Sequence, residues 1–224
     1  AGEAHEGTSF HVTAAPMPPL FQDRGRPGQA AQGVSASGAL DRAALHAANR
    51  LVGNEGGTPL LEIVAGGFAF EVDGPAVVAI TGTDAALEIG DAAGRRHRAE
   101  AYRPVSLERG DLVTLRAPER GLRTLLAVRG GFAVRPILGS ASMDSLARLG
   151  PDSVTAGARL AVRPRHGGPA VGEPETPPAN LPAPGETVTL DVVMGPRTEW
   201  FTPAGVATLT AQDWTVTPLS NRVG

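Results

Sequence analysis

The sequence has no cysteine. That excludes disulfides, thiolate nucleophiles and Cys-ligated metal, and it fits a cytoplasmic location. It also has no lysine: every basic residue is arginine. There is therefore no phosphate-loop lysine, no Schiff-base lysine and no side chain on which biotin could be carried. Any anion must be held by arginine or by backbone N–H groups. Aromatic residues are few, at 4%. No apolar run approaches the roughly 20 residues that span a bilayer as a helix, so no membrane partner is expected. Net charge is −3 and no basic stripe is present, which argues against nucleic acid, whose phosphates need clustered cations.

Glycine (29) and proline (20) are abundant among the 224 residues, and they punctuate many short β-prone runs. These are Phe10–Val12, Leu60–Ala65, Phe68–Val72, Ala76–Thr81, Ala86–Ile89, Val105–Leu107, Asp111–Arg116, Leu122–Arg129 and Arg159–Arg163. Regular turn signals between short strands predict a barrel or sandwich rather than βαβ units. One helix is expected, from about Asp41 to Val52. Leu40, Ala44, Ala47, Ala48 and Leu51 share a face at helical spacing. Ser37 or Asp41 can cap its start, and Gly53-Asn54 supplies a left-handed stop.

Domain organisation follows from composition. Residues 1–9 read as a tail and 10–163 as the first domain. Residues 164–186, rich in proline and glycine, read as a linker of polyproline character. Residues 187–224 read as the start of a second β domain, with strands at Thr187–Val193, Ala207–Leu209 and Asp213–Thr217. So short a segment is too small for its own core, and that domain is expected to be incomplete in this chain.

Polar chemistry concentrates in a few loops. Gln22-Asp23-Arg24-Gly25-Arg26-Pro27-Gly28 holds a carboxylate, an amide and two guanidiniums between glycines. Arg26 could clamp a carboxylate or phosphate through two bonds, and Asp23 could act as a base or orient Arg26. The plainer reading is an Asp–Arg pair that stiffens a surface turn. Ser35 and Ser37, before Gly38 and Asp41, stand at a helix N-terminus that attracts anions, or else they simply cap it. Asn49 and Asn54 flank the helix end, where Asn54 reads better as a cap than as a ligand. Glu62, within Leu60–Val64, is expected to face solvent by alternation unless it is placed for use. Gly130-Gly131 and Ser140-Ala141-Ser142 form a second glycine–serine cluster after a strong strand. The five histidines are scattered. None has the spacing of a metal site, and no metal is expected.

These motifs, taken in order, resemble one family. Gln22-Asp23-x-Gly25-Arg26-x-Gly28, Gly33-Val34-x-x-Ser37-Gly38-Ala39-x-Asp41, Ala48-Asn49-x-Leu51-Val52-Gly53-Asn54, Leu61-Glu62, Leu126–Phe132 and Leu138–Ser142 are similar to allophanate hydrolase subunit 2. That family is also called the biotin-dependent carboxyltransferase family, or the C component of 5-oxoprolinase. Ser220-Asn221-Arg222-Val223-Gly224 is similar to the family's Ser-Asp-Arg-Met-Gly. The resemblance implies a mostly β, cyclophilin-like barrel domain with one short helix, followed by part of a second similar β domain. It implies a subunit of an ATP-dependent 5-oxoprolinase that opens pyroglutamate to glutamate. The expected partners are an allophanate hydrolase subunit 1-like protein and a third subunit, with ATP used by the complex. The alternatives it implies are the carboxyltransferase part of a urea carboxylase and a non-catalytic regulatory module that binds its sister protein.

Carried over by position, the catalytic candidates are Asp23, Arg26 and Asp41. The substrate- or anion-binding candidates are Gln22, Gly25, Ser37, Gly38, Asn49, Glu62, Gly130, Gly131, Ser140, Ser142 and Arg222. The sequence departs from the family where Ala141-Ser142-Met143 replaces Arg-Ser-Thr, where Leu125 replaces Tyr, and where Asn221 replaces Asp. The lost arginine and aspartate remove two polar groups from the expected site.

Overall fold

Alternating apolar residues set the layers. In the computed structural model, which describes residues 7–164 and 167–217, the chain forms β1 (Ser9–Ala14), β2 (Leu20–Gln22), α1 (Arg42–Leu51), β3 (Leu60–Val64), β4 (Ala69–Val72), β5 (Ala76–Thr81) and β6 (Ala86–Gly90). It continues through β7 (Arg96–Glu100), β8 (Val105–Leu107), β9 (Leu112–Leu115), β10 (Arg123–Val128), β11 (Arg159–Ala161) and α2 (Pro203–Ala211). The strands make two antiparallel sheets, ordered β11-β1-β4-β9-β6-β7 and β2-β3-β10-β5-β8. The mostly-strand architecture expected for the first domain is the one observed.

The two sheets solve burial differently. In β1, β4, β6 and β9 the residues Phe10, Val12, Phe70, Val72, Leu87, Ile89, Val113 and Leu115 are buried, while His11, Glu71, Glu88, Leu112 and Thr114 are exposed. One face of that sheet is dry and the other wet. Its dry face meets Leu61, Ile63, Ile80, Leu126 and Val128 of the second sheet in one core. Five of the six phenylalanines are buried there. Phe10 stacks on Phe70 at 4.5 Å and meets Phe132 edge-on at 5.6 Å, geometries that aromatic quadrupoles favour.

The second sheet is covered on both faces. Ala44, Leu45, Ala48 and Leu51 of α1 pack on Leu60, Ala79, Leu125 and Ala127. Strands buried on both sides lose the alternating pattern, and Leu60, Leu61, Glu62 and Ile63 are all buried. The helix starts at Asp41, whose carboxylate accepts from Ala44 N at 2.9 Å. It stops at Gly53, whose φ is +69°.

Residues 1–184 form one compact unit and 185–224 a second. Through Pro184, the proline-rich stretch expected as a linker belongs to the first unit. Gly172 N donates to Leu51 O and Glu175 N to Tyr102 O, both at 2.8 Å. Arg50 grips Glu175 through two bonds of 2.7 Å. A polyproline-like chain makes no hydrogen bonds within itself, so its N–H and carbonyl groups are free to bond with neighbours.

In the second unit the strands expected at 187–193, 207–209 and 213–217 do not form among the described residues. Residues 207–209 lie inside α2. Thr202 caps it, accepting from Gly205 N at 3.1 Å, and Pro203 occupies the first turn. A Thr-Pro start pre-sets helical φ and outweighs the β preference of Val206 and Thr208. Arg197 covers the Trp200 ring at 4.9 Å. Among the described residues no helix is long and apolar enough to cross a membrane.

Candidate functional site

The loop after β2 is fastened to the 137–144 loop by Asp23. Asp23 is 7% exposed, and its carboxylate accepts four bonds: Gly25 N at 2.7 Å, Ser140 Oγ at 2.6 Å, Ser142 Oγ at 2.5 Å and Ala141 N at 2.7 Å. In return Asp23 N donates to Ser142 Oγ at 2.9 Å. Each oxygen meets a donor, so the buried charge is compensated without an ion pair.

Arg26 is 2% exposed. Its Nε donates to Ile137 O at 3.3 Å, its Nη1 to Ser37 Oγ at 3.1 Å, and its Nη2 to Ser142 O. Asp23 and Arg26 are therefore neither a salt-bridged turn nor an outward clamp. Each holds the same neighbouring loop from a different side, and the Arg26 guanidinium is spent on the chain's own groups.

Gly25 and Gly38 let the strands of the loop cross. Their φ values are +82° and +96°. A Cβ on Gly38 would lie 2.9 Å from the Arg24 carbonyl carbon, and one on Gly25 would lie 2.7 Å from Ser37 O. Between the crossing points Ser37 takes a left-handed φ of +52°. Its hydroxyl accepts from Arg26 and donates to Asp144 Oδ2 at 3.1 Å. Those bonds hold a backbone conformation that side-chain-bearing residues avoid.

Asp144 completes the cluster, and motif spacing does not single it out. It is 8% exposed. Oδ2 accepts from Ser35 and Ser37, and Oδ1 from Leu146 N at 3.1 Å and Ala147 N at 2.9 Å. The Ala147 amide and then the Ser35 hydroxyl hold its carboxyl below the ordinary value against the opposing effect of burial, with Ser37 and Leu146 adding to them. The sign follows from linkage. A depressed folded pKa adds stability above the unfolded value of about 3.9, and this is lost as pH falls through the folded one. Asp144→Asn should therefore flatten the acid limb of a stability–pH curve below about pH 4. Chemical denaturation from about pH 2 to 7 checks this, and an unchanged limb would show that Asp144 is not linked to folding. The signal that could have found Asp144 is its Asx pattern: an aspartate two and three residues before amides that its own side chain satisfies.

The other candidates lie elsewhere. Gln22 is fully buried and donates to Met143 O at 3.1 Å. Asp41 is the exposed cap of α1. Asn49, fully buried, donates to Thr58 O at 2.9 Å and accepts from Asn54 at 3.2 Å, while Asn54 also donates to Val128 O at 2.8 Å. Together these two asparagines tie the end of α1 to β10. Gly130 N donates to Asn54 Oδ1 at 2.8 Å, and Gly130 and Gly131, with φ of +90° and +75°, form the turn after β10. Glu62 does not face solvent as alternation predicts. It is 2% exposed, accepts from Leu40 N at 3.1 Å and pairs with Arg123 at 3.2 Å, because α1 and the residues before it cover that face of β3. Arg222 lies outside the described residues. Among those residues no group of three His, Cys, Asp or Glu side chains could hold a metal ion.

Residues 32–224 match the family model "Carboxyltransferase domain, subdomain A and B". Over 142 residues the chain is 37% identical to the C component of 5-oxoprolinase from Escherichia coli (strain K12), covering 62% of this chain and 43% of that protein. It is 31% identical over 231 residues to urea amidolyase of Lachancea kluyveri, covering 96% of this chain and 12% of that one. The chain thus spans less than half the length of either relative. The solved structure of TTHA0988 superposes with a TM-score of 0.68 at 29% identity, covering 76% of this chain and 62% of that one. The ordered loops, the two-sheet fold and the matched span agree: the chain belongs to the carboxyltransferase-domain family, subdomains A and B.

Proposed function

We propose that this chain is a subunit of an ATP-dependent 5-oxoprolinase. It would work with an allophanate hydrolase subunit 1-like protein and a third subunit to open 5-oxoproline to glutamate. The observation that carries this reading is the 37% identity over 142 residues with the E. coli 5-oxoprolinase component. In such a complex ATP supplies the phosphoryl group that activates the lactam oxygen for attack by water.

The loop geometry argues against the loop after β2 as the place where the nucleotide sits. Gly25 N is used by Asp23, Arg26 N by Ala36 O, and Ala39 N by Asp23 O. These amides are not free to cradle phosphates, and the sequence has no lysine. On this reading the other subunits hold the nucleotide, and this chain serves substrate binding and assembly. Reconstitution tests the proposal. The three proteins together should hydrolyse ATP in a 5-oxoproline-dependent way, and omission of this chain should reduce that activity at least a hundredfold. Undiminished hydrolysis without it would refute the assignment.

A second reading is favoured by the match to urea amidolyase along 96% of this chain. In it the chain forms part of a carboxyltransferase that receives carboxybiotin from a carrier elsewhere. Carboxyl transfer from supplied carboxybiotin with ATP removed would select this reading over the first.

A further inference from the structure

Arg26 is committed to its own chain, but the same loop carries a second guanidinium that is not. Arg24 is exposed and makes no hydrogen bond or ion pair with any described residue. It nevertheless lies in a defined place. A Cβ on Gly57 would come within 3.0 Å of Arg24 Cδ and Nε, so the side chain lies along the bare backbone of the loop after α1. A Cβ on Gly56 would lie 2.6 Å from His46 Nδ1 and 3.2 Å from Arg24 Nη2. An imidazole from α1 and a guanidinium from the loop after β2 thus face the same glycine from two elements.

His46 is half-buried, and its ring likewise has no bonding partner among the described residues. Glu55, which opens this loop and is the nearest acid in sequence, forms no ion pair with Arg24. The two side chains pack into the space over Gly56 and Gly57, a two-glycine saddle, and set their nitrogens beside one another. That is the arrangement a planar oxyanion fits: the guanidinium fork meets one edge, and the imidazole, with its proton on Nδ1, donates to the other oxygen.

We propose that Arg24, His46 and the Gly56-Gly57 saddle form a binding site for a small carboxylate. That the carboxylate is the one on 5-oxoproline rests on the function proposed above; the site itself rests on geometry alone. The glycines matter because a Cβ at Gly56 would push into both donors, 2.6 Å from His46 Nδ1 and 3.2 Å from Arg24 Nη2. Gly56 is not in the left-handed region, so Gly56→Ala acts by displacing the two donors.

The test is an NMR titration of the full chain at constant ionic strength. Sodium L-5-oxoproline and inorganic phosphate are the two probes, and the ring resonances of His46 are compared with those of His11 and His97. The expected result is a saturable shift of His46 with 5-oxoproline at millimolar concentration. Arg24→Ala should weaken it at least tenfold with the melting temperature unchanged, and Gly56→Ala, by displacing both donors, should weaken it as much. No saturable shift in the wild type, an equal shift at His97, or undiminished binding by Arg24→Ala would overturn the site. Tighter binding of phosphate than of 5-oxoproline would overturn the carboxylate class. In the reconstituted complex Arg24→Ala should raise the KM for 5-oxoproline. Loss of binding with an unchanged KM would cut the site from the reaction while the proposed function stands. Binding without turnover by any complex would uphold the site while the proposed function fails.

Discussion

Asp23→Asn should lower the stability of the first unit by about 3 kcal/mol, or roughly 10 °C in melting temperature for a unit of this size. The carboxylate accepts from two amides and two hydroxyls that are otherwise enclosed. An asparagine oxygen can serve one side, but its NH2 group then faces donors with nothing to give them. The loss is a large fraction of the roughly 5–15 kcal/mol that holds a typical domain together. Ser142→Ala removes one hydroxyl from the same network and should cost about 1–2 kcal/mol. The double variant should cost less than the sum, because the two residues share their bonds. Urea denaturation of the four proteins gives the coupling directly. If Asp23→Asn keeps wild-type stability while the reconstituted complex loses turnover, Asp23 is a reacting group, as the motif suggests, and not a staple.

The same residues show how far the sequence can be read. The motif Gln22–Gly28 and the serines at 140 and 142 stand out as polar clusters, and the fold does bring them together. Their roles are not legible, because burial cannot be read from residue type. A carboxylate and a guanidinium between glycines look alike whether they reach toward a ligand or toward the chain's own groups 111–119 residues away. Helix α1 is legible because its apolar spacing, its Asp41 cap and Gly53 all agree. Strand β7, Arg96–Glu100, is not, since it lies at the end of its sheet with four of its five residues polar. Edge strands are kept charged to discourage further pairing, and that erases the alternation by which strands are recognised. Strand β2 has only three residues, too few for any period. Alternation misplaces Glu62 because it presumes one wet face, and α1 removes it.

Gly25→Ala should be the most damaging single-methyl change in the first unit, and Gly28→Ala shows why. Both glycines have nearly the same left-handed φ, +82° and +84°. Alanine in that conformation costs about 1–2 kcal/mol at either position. At Gly28 nothing lies within 4 Å of the added methyl, so the conformational term is the whole cost. At Gly25 the methyl would fall against the carbonyls of Ala36 and Ser37, with the Ser37 carbonyl carbon 2.9 Å away. Those atoms are backbone, and they cannot turn aside as a side chain could. Moving them would separate Arg26 N from Ala36 O, a bond of 2.6 Å, and pull Ser37 from Arg26 and Asp144. The expected difference between the two variants is about 3 kcal/mol, read as the difference in their urea midpoints at equal slope. Equal destabilisation would mean that the crossing of the two loops at Gly25 and Gly38 yields easily. The buried staple would then be a flexible contact, and the exposed Arg24 beside it would have no fixed frame from which to meet an anion.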